Sequence, residues 1–110
     1  KSGWYLGVKL LKLIISTDKK EIIPTDLKLD NLMWLFRQLE EEYIQRFRSI
    51  YKVVRFLSNN QFDFNLTYEK QKYHLNLLKK GEGEYSWNPL GYEMIRFDEW
   101  FFNKVNLNKI

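Results

Sequence analysis

The stretch Ile50-Tyr51-Lys52-Val53-Val54-Arg55-Phe56-Leu57 decides the fold. Upstream of it, Leu29, Leu32, Met33, Phe36, Leu39, Tyr43, Ile44 and Phe47 recur at three- and four-residue spacing. That is one face of an amphipathic helix over 30–47, with Asp26 or Asp30 available to cap its start. Ile50, Tyr51, Val54 and Leu57 continue the same stripe without an intervening Gly or Pro, so a helix reaching Asn59-Asn60 is one reading. The composition of 50–57 favours the other, because β-branched and aromatic residues suit a pleated, half-buried surface. Downstream, Phe62, Phe64, Leu66 and Tyr68 alternate with Asp63, Asn65, Thr67 and Glu69, the pattern of a strand with one wet face. Ser58-Asn59-Asn60-Gln61 suits a turn between two strands. A hairpin of 50–57 with 61–69 is therefore expected, and the helical continuation stays open.

Residues 4–15 are rich in strand formers, 16–20 read as a turn, and Glu21-Ile22-Ile23 as a short return strand that Pro24 ends. Tyr73, Leu75 and Leu77 alternate again as a further strand, and 79–84 read as a loop. Asn88-Pro89 resembles a cap followed by proline at the first helical position, and Leu90, Met94, Phe97, Phe101 and Val105 then share a helical face. The expected fold is one α+β domain over 1–110. Its antiparallel sheet, an N-terminal hairpin plus a meander, carries two helices on one face.

An apolar share of 45% argues for a packed core rather than disorder, and an aromatic share of 17% leaves rings to spare for a surface. The absence of cysteine excludes a disulfide scaffold, an iron–sulfur site, a thiol nucleophile and cysteine-based zinc sites. No apolar run approaches the ~20 residues of a membrane span. The net charge is +4, with acids interspersed among bases along the whole chain. A basic stripe of Arg48, Lys52 and Arg55 exists only if the helix continues past 47. The strand reading dissolves it, and with it the expectation of tight, salt-sensitive nucleic-acid binding.

His74 is the only histidine, placed in a strand pattern with no serine, threonine or lysine indicated beside it. Gly81-Glu82-Gly83-Glu84 lacks the strand and helix that a phosphate loop needs, and its acids repel phosphate. Neither catalysis, a metal nor a cofactor is expected. Glu40 falls near the middle of the apolar stripe, where a carboxylate needs water or a partner. Trp34 lies off that stripe, and with Glu41 and Glu42 it forms the expected partner-binding surface. An exposed tryptophan supplies interface energy, and flanking acids steer a basic partner.

Leu32-Met33-Trp34-Leu35-Phe36-Arg37-Gln38-Leu39-Glu40-Glu41-Glu42-Tyr43 resembles the central helix of the YezG-type bacterial immunity family. Ser58-Asn59-Asn60-Gln61-Phe62-Asp63-Phe64-Asn65-Leu66-Thr67-Tyr68-Glu69 is similar to that family's hairpin turn and strand. The segment ending Arg96-Phe97-Asp98-Glu99-Trp100-Phe101 is vaguely similar to its closing helix. The resemblance covers about half the chain. It implies a small cytoplasmic antitoxin whose partner is another protein, a secreted nuclease toxin blocked by occlusion. The rival expectations are a nucleic-acid-binding module, favoured if 48–57 is helical, and a scaffold or oligomerisation domain of a longer protein.

Overall fold

Val53 and Val54 are adjacent in sequence and both are fully buried, an outcome no strand with one wet face permits. Neighbouring strand residues point to opposite faces, whereas Ile50, Val53, Val54 and Leu57 share one face of a helix. The computed structural model describes residues 2–36, 41–87, 93 and 95–108, with side chains from residue 8 onward except at 22, 24, 32–44 and 106–108. Among the described residues every regular element is helical. The helices are α1 (Ser2–Asp18), α2 (Ile22–Phe36), α3 (Glu41–Asn59), α4 (Phe64–Lys70), α5 (Lys72–Lys80) and α6 (Phe97–Asn108), with a 3-10 turn at Gly83–Tyr85. The expected α+β class is therefore corrected: both hairpins and the meander are helices, and the described residues contain no sheet.

Each correction has a local cause. In α1, Leu10, Leu13, Ile14 and Thr17 are buried at helical spacing, including one adjacent pair. The chain then turns at Lys20, whose φ of 58° closes α1 with Lys20 N–H donating to Thr17 O and Glu21 N–H to Ser16 O. Pro24 does not end an element. It sits in the first turn of α2, where its missing N–H has no intrahelical acceptor to lose. The alternation at 62–68 fails because Leu66 is exposed while Phe64 and Thr67 are buried three apart. Asp63 starts α4 as its cap, its side chain accepting from Leu66 N–H at 3.0 Å. Leu75 and Leu78 are the buried pair of α5, which stops at Gly81 in the left-handed region with φ 60°.

The expected single helix over 30–47 is two elements, α2 and α3. A continuous helix would hold residues 26 and 58 about 48 Å apart. Ser58 Oγ instead donates to Asp26 Oδ1 at 2.5 Å, and Arg55 Nη2 donates to Asp30 at 2.7 Å. α2 and α3 thus run antiparallel, pinned where the first half of α2 meets the end of α3. α5 lies antiparallel to α3 on its other side, with Arg46 against Leu78 and Ser49 against His74. The last described helix begins at Phe97; the expected start at Asn88-Pro89, with Leu90 and Met94, lies outside the described residues. Its expected stripe holds at Phe97, Phe101 and Val105, all buried. Phe101 packs on Phe64 of α4, with the ring centroids 5.5 Å apart. α6 also reaches α1, where Asp18 pairs with Lys104 and accepts from Trp100 Nε1 at 3.3 Å.

One polar feature runs through this core. Arg46 is 3% exposed and spends all five guanidinium donors inside the protein. Nε and Nη2 grip Glu93 at 2.6 and 2.9 Å, and Nη2 also reaches Asp98 at 3.0 Å. Nη1 donates to the carbonyls of Leu78 and Tyr85 at 3.1 and 2.6 Å. Glu93 in turn accepts from the Phe97 N–H at 2.6 Å, which fixes the start of α6. Arg96 completes the set on Asp98 at 2.8 Å. Burial opposes the Arg46 charge, but the bonds and attraction to Glu93 and Asp98 outweigh it, and its pKa is raised.

Candidate nucleic-acid interface

Burying one side of α3 dictates what the other presents. With Phe47, Ile50, Val53, Val54 and Leu57 inside, helical geometry turns Arg48, Lys52 and Asn59 outward, and all three are exposed. Arg48 and Lys52 are four residues apart, hence neighbours in one row. Neither forms an ion pair with a described residue. Arg55 is the less available third member, because Asp30 and Asp26 hold it from α2 and Tyr51 Oη accepts from its Nη2 at 2.9 Å.

Beside this row runs a groove of about 340 Å³ between α3 and the start of α5. Among the described residues its lining is Tyr51, Lys52, Arg55, Phe56, Asn59, Gln71 and His74, which includes no carboxylate. His74 Nδ1 shares a hydrogen bond with Ser49 Oγ at 3.1 Å. Burial, followed by the nearby Lys52 charge, holds the His74 pKa below its ordinary value. The imidazole is therefore neutral at neutral pH. Tyr73 is not part of that lining; it is 71% exposed, with its ring edge-on at 5.3 Å to His74, which is.

A second groove, of about 680 Å³, lies among α4, α5 and α6. Asp98 and Glu99 help line it beside Lys79 and Arg96, so its charge is mixed. Phosphate is better received by the first groove than by the second.

The serine that sequence reasoning did not place beside His74 is present, as Ser49. It is buried, does not line the groove, and so orients the imidazole rather than facing a ligand. Among the described residues no group of three or more histidine and carboxylate side chains is placed to hold a metal ion. No described helix is long and apolar enough to cross a membrane.

Of the residues expected to bind a partner, Trp34 belongs to α2, and Glu41 and Glu42 open α3. They are therefore on different helices. Their side chains lie outside the described residues, as does Glu40. The residues that sequence reasoning missed are Gln71, Tyr73 and His74. The strand reading of 73–77 hid the helical face that Gln71, His74 and Leu75 share, and nothing local announces that this face lies beside α3. The chain matches no protein-family model, no curated protein and no solved structure in the comparisons made.

Proposed function

We propose that this protein is a non-catalytic binding module that holds nucleic acid by its phosphate backbone through the outer row of α3. The observation that carries this reading is the unbroken course of α3 to Asn59, which lines up Arg48 and Lys52 on an exposed face next to a groove with no carboxylate among its described lining residues. It satisfies the condition under which the sequence favours the nucleic-acid alternative. Two free cations make the binding weak, and about two phosphate contacts give a slope near −1.4 to −1.8 in log affinity against log salt. Fluorescence anisotropy of labelled oligonucleotides across a salt series tests it. Replacing Arg48 and Lys52 together by glutamine flattens the slope. No binding at low salt, or binding indifferent to salt, defeats the reading.

A protein contact is the second reading, and a different observation favours it. Ile23 and Leu27, one turn apart on α2, are 73% and 60% exposed. Trp34 lies seven residues beyond Leu27 in the same helix, the spacing that returns to the same row. This is the surface on which a cytoplasmic inhibitor of the immunity type would cover a partner protein. Replacing Trp34 by alanine would then cost ~2 kcal/mol or more of partner affinity with folding stability kept. A loss of stability with affinity unchanged removes that reading.

A further inference from the structure

We infer that the ligand is a single strand, with one base stacked at the mouth of the α3–α5 groove on Tyr73 and the adjacent phosphates on Arg48 and Lys52. This rests on the nucleic-acid reading above and narrows it.

The case against a duplex is geometric. A helix that reads duplex DNA enters a major groove about 12 Å wide. α3 cannot do so, because it is the middle of three helices packed side by side. Asp26 and Asp30 of α2 flank it through Arg55, and Gln71 and His74 of α5 flank it across the groove. With neighbouring helix axes roughly 8–10 Å apart, such a face is about 20 Å or more across, wider than the groove. The Arg48–Lys52 row thus lies on the middle helix of a broad face rather than on a lone protruding one. A flexible backbone can follow such a face, and a rigid duplex reaches it only with its outermost phosphates.

The case for a base is chemical. Proteins that hold single strands combine cations that track the backbone with aromatic faces on which bases stack. Tyr73 offers a ring that is 71% exposed, braced by its edge-on contact with His74. The groove below adds Asn59 and Gln71, whose amides both donate and accept and so suit the edge of any base. The neutral His74 adds no charge at the mouth, which leaves the phosphates to α3.

The test is an anisotropy titration at low salt with labelled poly-pyrimidine single strands and a hairpin duplex of equal length. It uses the full chain and its Tyr73→Ala, Tyr73→Phe and Arg48→Gln/Lys52→Gln variants. Tyr73 is exposed, so its substitution leaves the fold intact, which circular dichroism verifies. The expected result is tighter binding of the single strand. Tyr73→Ala loses about fivefold or more of that affinity, Tyr73→Phe retains it, and the double variant weakens both ligands. Equal binding of both ligands, or a single-strand preference untouched by Tyr73→Ala, overturns the stacking site and leaves the nucleic-acid reading standing. Binding of neither ligand overturns both.

Discussion

Replacing Arg46 by methionine keeps much of its volume and removes its charge and all five donors. Among the described residues, Glu93 then keeps only the Phe97 N–H as a partner and Asp98 only Arg96, and the carbonyls of Leu78 and Tyr85 lose the Arg46 donors. Breaking a buried ion pair from one side costs about 3–5 kcal/mol, because the surviving carboxylate stays buried and unpaired. A domain of this size has about 5–15 kcal/mol in total, so the variant loses between a fifth and nearly all of its stability. At about 4 °C or more per kcal/mol, the melting temperature falls by about 12 °C or more. Urea unfolding followed by far-UV circular dichroism measures the loss directly. Adding Glu93→Gln to the Arg46→Met chain neutralises the orphaned charge and restores part of it. Arg46→Lys does not rescue, since one ammonium cannot span a bidentate carboxylate and two carbonyls. A loss below about 1 kcal/mol for Arg46→Met would show that the cluster behaves like a hydrated surface pair, and the reasoning fails.

Three further outcomes are expected. Asp63→Ala removes the cap of α4 and costs about 1 kcal/mol in urea unfolding, while Asp63→Asn costs little. Gly81→Ala forces a side chain into the left-handed region, with its Cβ 3.4 Å from Arg96 Nη2, and destabilises by about 1 kcal/mol. The His74 pKa is lowered in the folded chain, so the unfolded chain takes up this proton at higher pH. Its effect is absent above the ordinary value of 6.5 and costs stability as pH falls through the folded value. His74→Gln makes the melting temperature less sensitive between about pH 8 and about pH 5, and an unchanged pH profile contradicts this.

The helical stripe at 47–57 was legible, and so was the charge row that depends on it. Composition outweighed spacing at that point, wrongly. The helix penalty of a β-branched residue is at most about 0.7 kcal/mol, whereas each buried aliphatic side chain is worth about 1.5–3 kcal/mol. Spacing that buries Val53 and Val54 together therefore wins. The same lesson applies to Leu13 and Ile14. At 62–68 the alternation was real but short, and Asp63 as a cap explains the segment better. Lys79-Lys80-Gly81 carries a helix stop, with cations in the last turn and glycine after it, which a loop over 79–84 does not account for. Long-range pairings left no local signature: nothing near Arg46 in sequence announces Glu93 or Asp98. The candidate groove was illegible for the same reason, since it forms only where α5 crosses back along α3.

The Arg46 cluster also bears on the order in which the chain folds. Its acceptors lie 32 to 52 residues away along the chain, so no hairpin of neighbouring helices can satisfy it. Until the end of α5, the Gly83–Tyr85 turn and the start of α6 have all arrived, the guanidinium is better off in water. Its bonds are therefore expected to close after the rate-limiting step, so that their loss accelerates unfolding and leaves refolding almost unchanged. In a chevron experiment, Arg46→Met should raise the unfolding limb and leave the folding limb in place, making Arg46 a latch on the lifetime of the native state.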